Sequence, residues 1–515
     1  MNKSMRKRVQ PRVILGFLLL VLCFAYLFIG QVSAVWPFTI DDMYIPLRYA
    51  THWYNGYGLS WNIAEPPVEG YSNFSFVLLA RLALQWGFNP VLVLKGAGVI
   101  GLFATLVAIY KLTRFWLPPR FAFLPCLLAL VYPGQIIWSV GGLETTVYQA
   151  LICWAILLLL RGQGYTFHPC QPKNPSPLPF ALAGLLFSIA GLTRPEAPVF
   201  MMMSLLLLGL DRPRPMSPNY LRGLFLFTGV IALAYLPYFF WRWHYFGYLF
   251  PNPVYCKGLS GVYPSLDIGY LQLAWPFACL AAIAIFRYKD RRFQFLWLPS
   301  LIYLILLFGS EPLSSFANRL FLLPFCLLLP LSILGLLIII QRYYKDDDVI
   351  NVAMYFAAFL VAFFFAQSIS LTNYRQTAQN TLNDEHLRRA LALWLKNHSS
   401  PTNKIMLSDV GLVPYLDSNP FIDSYCLNNV AMRKFPKKTM YLDFCESILS
   451  TKPEIIVLTS LLEGQDLLFS PPADACLSKK LATTGQYKLV KTMTSEIKVK
   501  QTSKRFYRYQ IYVRR

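Results

Sequence analysis

Two adjacent aspartates, Asp41 and Asp42, are the residues of this chain best suited to acid–base chemistry. One carboxylate of such a pair could accept a proton from a hydroxyl group while the other holds a divalent cation or orients the acceptor. Because like charges repel, one of the two should have a raised pKa unless a cation lies nearby. A local interpretation is compatible with this one: Thr39 could cap a helix, with Asp42 completing a capping box.

A second group of polar residues has the types that bind phosphates and sugars. Arg194 and Glu196 lie between two apolar stretches, so Arg194 either pairs with Glu196 or grips a phosphate. Glu144 follows two glycines at the expected start of a helix, where the helix dipole stabilises a carboxylate. The further candidates for binding or orienting a substrate are Arg48, Glu69, Tyr71, Asn73, His244, Asn252, Lys257 and Arg319.

Some kinds of site are missing from the sequence. There is no GxxxxGK(S/T) and no GxGxxG motif, so we expect no nucleotide cofactor. The cysteines show no metal-ligand spacing. A divalent cation (Mg, Mn or Ca) could bind at the first-loop aspartates, with Asp42 as its ligand. Tryptophans and tyrosines crowd residues 36–71, which fits sugar stacking and equally the aromatic belt of a membrane interface.

The elements that must position these residues are transmembrane helices. The chain is 56% hydrophobic and 14% charged, whereas soluble domains are about 25% charged. Apolar runs of roughly 18–22 residues recur over the first three quarters, each long enough to span a bilayer. We predict eleven spans within residues 1–370. The net charge of +22 lies largely in short loops, which favours membrane lipids and phosphate-bearing substrates over nucleic acid.

Charge in the loops also predicts the orientation. The basic segment 1–12 stays in the cytoplasm, and the apolar run 13–35 is a first helix left uncleaved, although Val32-Ser33-Ala34 resembles a signal-peptidase site. Residues 36–90 then form an external loop, in which the apolar piece 74–86 lies along the interface. On this topology the candidate residues converge on the outer face, and polar residues at membrane depth by default suggest function.

The remaining residues, 371–515, contain no apolar run and are predicted to form an external, non-catalytic α/β domain. Four strand-like runs and one amphipathic helix support this class: 404–408, 453–458, 487–492 and 506–514, with the helix at 385–396. Its basic residues either favour solubility and anionic lipid, or dock an acidic glycan through Lys434, Lys437 and Lys438. A disulfide is possible among the external cysteines, without a readable pairing: Cys256, Cys426, Cys445 and Cys476.

Several motifs, in order and on one side, resemble the GT-C glycosyltransferases, and most closely the terminal arabinofuranosyltransferase B family of mycobacteria and its relatives in other bacteria. The first is the loop from Asp41-Asp42-Met-Tyr through Arg48-Tyr-Ala to Glu69-Gly-Tyr-Ser-Asn73. The others are Gly142-Leu-Glu144, Gly191-Leu-Thr-Arg194-Pro-Glu196, His244-Tyr-Phe-Gly247, Pro251-Asn252-Pro with Lys257, Asn318-Arg319 and Ser408-Asp-Val-Gly-Leu-Val-Pro-Tyr415. The Pro-Asn-Pro run departs from the family, where a Thr would follow Asn252.

The resemblance implies a GT-C fold, a polyprenyl-phosphate sugar donor and transfer of arabinose, mannose or a similar sugar to a glycan of the cell envelope. It implies catalysis by the first-loop aspartates, on the outer face of the bacterial cytoplasmic membrane. We expect inversion, with Asp41 as the base, so Asp41→Asn should abolish transfer. Arg194, Lys257 and Arg319 are the candidates for neutralising the donor phosphate.

Two rival interpretations also use lipid-linked sugars. A flippase or transporter would need polar residues along the middle of several helices and at both faces. Here the helix middles are largely apolar. An O-antigen ligase or polymerase is the other alternative. Reconstituted protein distinguishes them, because an enzyme transfers the sugar whereas a flippase moves the lipid without transfer.

Overall fold

The structure is a computed structural model that describes residues 11–169, 173–211, 217–258, 268–307, 312–368, 371–431, 440–463, 466–469, 472–499 and 503–515. Lys434, Lys437 and Lys438 lie outside the described residues, as does the side chain of Lys257. The chain folds into an apolar helical part followed by a small mixed sheet packed with helices.

The helical part is built from apolar helices of unequal length. They are α1 (Pro11–Val35), α2 (Tyr44–Tyr54), α3 (Phe74–Gln85), α4 (Pro90–Thr113), α5 (Pro119–Ala122), α6 (Leu124–Val131), α7 (Pro133–Val140), α8 (Thr145–Gly162), α9 (Pro177–Thr193), α10 (Ala197–Leu210), α11 (Pro218–Ala234), α12 (Leu236–Phe246), α13 (Ile268–Tyr288), α14 (Gln294–Leu307), α15 (Leu322–Tyr343) and α16 (Asp347–Ser368). Short 3-10 turns add Asp41–Met43, Arg291–Phe293 and Pro312–Phe321.

Each of the eleven predicted spans coincides with one of these helices or with a run of consecutive ones. Among the described residues, six helices are long and apolar enough to cross a membrane, or seven if the bent run from α5 to α7 is one span. Shorter apolar helices, including α3, α9 and α10, accompany them. The chain is therefore a polytopic helical membrane protein, while the number of crossings and the interfacial position of α3 stay predictions.

Two sharp breaks interrupt the helices, and both precede a proline. Tyr132, before Pro133, has an extended backbone (φ −70°, ψ 125°), and α6 and α7 meet at a bend of 67°. Arg194, before Pro195, is also extended (φ −149°, ψ 139°), which ends α9 and starts α10 three residues later. The proline ring disfavours a helical conformation in the preceding residue. These prolines thus turn the chain where the polar candidates lie.

The first loop begins with a 3-10 turn, Asp41–Met43, that leads into α2. The expectation of a Thr39 capping box is wrong. The Thr39 hydroxyl donates to the Pro37 carbonyl, and the turn has no side-chain cap. Helix α2 ends at Tyr54, and Gly56 takes a positive φ of 87° just beyond it.

After α16 the chain forms α17 (Leu371–His398), α18 (Leu412–Leu416), α19 (Met440–Ser450) and α20 (Pro472–Thr484). The strands are β1 (Ile405–Leu407), β2 (Phe421–Asp423), β3 (Ile455–Glu463), β4 (Asp466–Leu468), β5 (Tyr487–Val499) and β6 (Ser503–Arg514). The sheet order is β2-β1-β3-β6-β5, with β4 paired to β3. Strand β1 is parallel to β2 and β3, and the remaining pairs are antiparallel.

The predicted α/β class of this part is confirmed, and the four predicted strands correspond to β1, β3, β5 and β6. Helix α17 packs on α1 as well as on β5, so the boundary between 1–370 and 371–515 remains a proposal. All four cysteines that were predicted to be external are paired, as Cys256–Cys426 and Cys445–Cys476. The first of these disulfides joins the loop after α12 to the segment after β2.

Candidate active site

A cavity of about 460 Å³ lies where the first loop meets the ends of α7, α9, α10 and α14. Its volume falls in the range of about 300–1,000 Å³ that is usual for small-molecule sites. Most of its surface is apolar. The polar and charged side chains on its wall that sequence analysis had singled out are Asp42, Tyr71, Asn73, Arg194, Glu196 and Arg319.

Beneath this wall, Glu144 connects the two arginines. Its Oε1 accepts a hydrogen bond from Arg194 Nη1 and another from Arg319 Nη2, both at 2.7 Å. Its Oε2 accepts from Asn73 Nδ2, also at 2.7 Å. Glu144 is 0% exposed, so its charge is compensated entirely inside the protein. It does not line the cavity, and its position fits a residue that holds the arginines and Asn73 in place.

The break before α10 supplies the second half of this network. Arg194 Nε and Nη2 donate to the two carboxylate oxygens of Glu196, at 3.0 and 2.7 Å. The internal ion pair that was one interpretation of Arg194 therefore forms. Arg194 and Glu196 nevertheless both line the cavity, so a ligand in the cavity could still contact the Arg194 guanidinium although it is paired with Glu196.

Arg319 lies at the opposite end of the same network, in the turn that precedes α15. Its Nε donates to the Thr145 hydroxyl at 3.2 Å, and its guanidinium lies over the Trp138 ring, 5.0 Å from the ring centroid. This distance is within the roughly 6 Å at which a cation and an aromatic ring attract each other. The preceding residues Ala317 and Asn318 have positive φ values of 48° and 57°. Such backbone strain is concentrated at functional sites in proteins.

The two aspartates of the first loop point to different places. Asp42 lines the cavity, whereas Asp41 faces the segment before α18. The Asp41 carboxylate accepts the backbone N–H groups of Gly411 and Leu412, at 3.0 and 2.9 Å, and lies 3.3 Å from Arg388 Nε. The geometry thus favours Asp42 over Asp41 for contact with a substrate.

The environment of Asp41 also changes its acidity. Burial raises the pKa of Asp41 from 3.8 to about 6, Arg388 opposes that rise, and the neighbouring Asp409 and Asp42 add to it. Asp409 in turn accepts hydrogen bonds from Arg388, Tyr507 and Tyr509. The expected repulsion between Asp41 and Asp42 contributes to the raised pKa of Asp41, but burial is the larger cause.

The other candidates whose side chains the structure describes do not line the cavity. Glu69 forms a buried ion pair with Arg242 at 2.6 Å. Arg48 and Asn252 bind backbone carbonyl groups of the segment 414–429. His244 is exposed on α12 and does not line the cavity. For Lys257 the backbone alone is described.

Within the described residues, no three His, Cys, Asp or Glu side chains are grouped to hold a metal ion. Asp42 shares the cavity wall with Glu196, but also with two guanidinium groups, which are poor neighbours for a divalent cation. This set of side chains does not fit a cation site, and we assign no step to a metal.

The cavity-lining residues that sequence reasoning missed include Trp138, Tyr303 and Leu427. Trp138 and Tyr303 lie in apolar helices, α7 and α14, where an aromatic residue looks the same as a packing residue. Leu427 comes from the segment after β2, in the part expected to be separate from the site. Nothing in its local sequence distinguishes it from any surface-loop leucine.

The fold and cavity can be compared with known proteins. A family model described as a domain of unknown function (DUF8728) matches residues 372–512. No curated protein matches the chain. Among solved structures, ArnT from Cupriavidus metallidurans bound to undecaprenyl phosphate matches with a TM-score of 0.57 and 10% identity, over 95% of this chain and 97% of that one.

Two other enzymes show the same similarity of fold. The archaeal oligosaccharyltransferase AglB from Archaeoglobus fulgidus, in complex with an inhibitory peptide and a dolichol-phosphate, matches with a TM-score of 0.52 and 12% identity, over 85% of this chain and 69% of that one. The arabinofuranosyltransferase AftD from mycobacteria matches with a TM-score of 0.52 and 14% identity, over 96% of this chain and 41% of that one. The expected fold is confirmed: this chain has the fold of the GT-C glycosyltransferases.

Proposed function

We propose that this protein is a membrane glycosyltransferase that takes a sugar from a polyprenyl-phosphate donor and transfers it to a glycan of the cell envelope. The observation that carries the proposal is the cavity wall, which combines one first-loop carboxylate, Asp42, with the two guanidinium groups of Arg194 and Arg319. Two of the structures that share the fold hold a polyprenyl phosphate or a dolichol-phosphate. A base for an acceptor and cations for a phosphate are the groups that this reaction needs.

The reaction follows from these roles. Asp42 accepts the proton of an acceptor hydroxyl, and the hydroxyl oxygen attacks the anomeric carbon of the donor sugar from the face opposite the phosphate. The bond from that carbon to the phosphate oxygen breaks, and the lipid phosphate leaves with both electrons. Arg194 and Arg319 stabilise the charge that develops on the phosphate. The anomeric configuration inverts, because one displacement occurs.

The apolar part of the wall suits the lipid. Met202 on α10 and Leu306 on α14 line the cavity and are 70% and 60% exposed on the outer surface of the helices. A polyprenyl chain can therefore run along the exposed surface of α10 and α14 while its phosphate reaches the arginines. Asn73 and Tyr71 orient the sugar, and Glu144 and Glu196 hold the guanidinium groups. The site is proposed to face outward, and the sugar is a pentose or hexose such as arabinose or mannose.

Reconstitution in lipid vesicles tests the proposal. Vesicles would carry decaprenyl-phosphate-arabinose or undecaprenyl-phosphate-mannose, and the acceptor would be envelope glycan purified from a strain that lacks this gene. We expect transfer of one labelled sugar to the glycan, with release of polyprenyl phosphate. Movement of the labelled lipid across the vesicle membrane without transfer of the sugar would contradict the proposed enzyme activity and indicate a flippase.

A further inference from the structure

The short helix α18 belongs to the part of the chain that matches the family of unknown function, yet first-loop side chains hold it at both ends. At its start, the Asp41 carboxylate accepts the N–H groups of Gly411 and Leu412. At its end, the Arg48 guanidinium donates to the carbonyl oxygens of Pro414 and Asp417. These are the backbone groups that a helix leaves without partners, and the charges match the helix ends.

The two ends of this clamp come from one short segment. Asp41 and Arg48 are seven residues apart, about two helical turns, so α2 and α18 lie side by side. Between the two contacts, the rings of Tyr44 and Tyr415 meet with centroids 5.6 Å apart. We call this arrangement, Asp41 and Arg48 on the ends of α18, the α18 clamp.

Burial makes the clamp costly to break. Arg48 is 3% exposed, and its hydrogen bonds go to carbonyl oxygens, including those of Asn419 at 3.1 Å and Trp61 at 2.9 Å. Burial lowers the pKa of Arg48 to about 10. A buried guanidinium that lost the carbonyl groups of 414–419 would remain largely desolvated, so the first loop depends on this contact.

Gly411 shows how closely the two parts approach. A Cβ atom at this position would lie 2.1 Å from the Asp41 carbonyl oxygen and 2.5 Å from Asp41 Oδ2. Both atoms belong to the residue directly before Asp42. Any side chain at 411 must therefore displace the backbone that carries the cavity carboxylate.

From these contacts we infer that α18 positions Asp42, and that Asp41 and Arg48 act as positioning residues through it. The inference rests on the proposed function, in which Asp42 is the base. It assigns a role to the 372–512 part: this part fixes the first loop of the catalytic site and adds Leu427 to the cavity wall. Asn62 supports the same docking, because its side chain bonds both the N–H and the carbonyl of Phe421, each at 3.0 Å.

The test uses Gly411→Ala in the full-length protein, with Gly229→Ala as the matched control because a Cβ at Gly229 meets nothing within 4 Å. We expect kcat for sugar transfer to fall about 100-fold in Gly411→Ala, the order of loss that misplacement by about 1 Å produces. Affinity for undecaprenyl phosphate should stay at the wild-type value, because Arg194 and Arg319 are untouched. The melting temperature should fall, because the clamp is loosened, and the assay is therefore run below the melting temperature of the variant. An equal loss of kcat and of undecaprenyl phosphate affinity, or a wild-type kcat, overturns the inference.

A double variant checks that the effect passes through the clamp. If Gly411→Ala acts by displacing Asp41, then adding Asp41→Asn should change kcat little further, whereas fully additive losses contradict a shared route. The C-terminal end of α18 is tested with two variants of Arg48. A higher kcat in Arg48→Lys than in Arg48→Ala would support docking that depends on the positive charge, and an equal loss of kcat in both would contradict it.

A readout that needs no transfer separates this inference from the proposed function. Hydrogen–deuterium exchange of the peptide that spans 40–54 should rise in Gly411→Ala, while that of 197–210 stays unchanged. If exchange rises but the wild-type protein transfers no sugar, the clamp stands and the proposed function fails. If exchange in 40–54 does not change, the clamp itself is contradicted.

Discussion

At the scale of single residues, the two aspartates show where sequence reasoning ends. Their adjacency indicates a carboxylate pair, but not which of the two meets the substrate. The structure separates them: Asp41 binds the segment before α18, and Asp42 lines the cavity. The contact that decides their orientation, with Gly411, lies 370 residues further along the chain. The assignment of Asp41 as base is therefore replaced by a proposal that Asp42 is the base.

The arginine on the far side of the cavity gives a prediction about donor binding. Arg319→Gln should weaken binding of undecaprenyl phosphate about 10-fold or more, because a charge-assisted contact to phosphate is lost, and should leave binding of undecaprenol unchanged. Microscale binding assays in nanodiscs would measure both. Arg342→Gln is the control, since Arg342 is exposed at the other end of α15. Equal weakening for both lipids would remove Arg319 from the phosphate site.

The buried carboxylate below the arginines gives a prediction about stability. Glu144→Gln should lower the free energy of unfolding by about 3–5 kcal/mol, because the buried guanidinium of Arg194 and the partly buried guanidinium of Arg319 lose their shared anion. Denaturant titration in detergent would measure the loss. Glu454→Gln breaks a partly exposed ion pair with Arg514 and should cost under about 1 kcal/mol. Similar losses in both variants would show that the Glu144 network is not specially stabilising.

At the scale of helices and strands, local physics predicted most elements. Lipid requires long apolar helices, so the eleven runs were readable, and the prolines marked the breaks at Tyr132 and Arg194. Strands β1, β3, β5 and β6 could be predicted because their sequences are apolar or alternate between apolar and polar residues. Strand β2 and helix α18 were missed, because they are three and five residues long and are held by contacts with the first loop. Such tertiary contacts leave no periodic pattern.

A buried carboxylate at the start of α20 makes the sheet sensitive to pH. Asp474 accepts hydrogen bonds from the Ser424 hydroxyl and the Thr459 N–H, and burial raises the pKa of Asp474 from 3.8 to about 7. Between about pH 4 and 7 the folded state then holds a proton that the unfolded state has lost. Stability should fall as pH rises through this window, by up to about 1.4 kcal/mol per pH unit.

Asp474→Asn should flatten this dependence, because the amide does not titrate. Thermal unfolding of the full-length protein at several pH values between 4 and 8 would measure it. Asp443→Asn serves as the control, since Asp443 is an acidic residue in the first turn of α19. An unchanged slope in Asp474→Asn would show that this carboxylate is already ionised in the folded protein.

At the scale of the whole molecule, the 371–515 part is joined to the helical part by side chains, backbone and a covalent bond. Asp41, Arg48 and Asn62 bind it from the first loop, and the Cys256–Cys426 disulfide joins it to the loop after α12. The sequence predicts that this part is an external domain without catalytic residues. Leu427 of this part nevertheless lines the cavity.

The two disulfides make a prediction about sidedness. Disulfides persist in oxidising compartments, so both should face away from the cytoplasm. In intact spheroplasts, a membrane-impermeant maleimide should label Cys445 and Cys476 only after treatment with an impermeant reductant. A Ser176→Cys variant reports the loop after α8, which should be labelled only in permeabilised cells. Labelling of position 176 in intact cells would contradict the proposed orientation.

The most direct test of the central claim is the rate of sugar transfer by Asp42→Asn in nanodiscs, beside wild type and the exposed control Asp347→Asn. The account predicts a fall in kcat of about 10²–10⁴-fold for Asp42→Asn, the usual contribution of a general base. Affinity for undecaprenyl phosphate should be unchanged, and Asp347→Asn should behave as wild type. A folded Asp42→Asn protein that transfers sugar at the wild-type rate would contradict the assignment of the cavity as the catalytic site with Asp42 as its base.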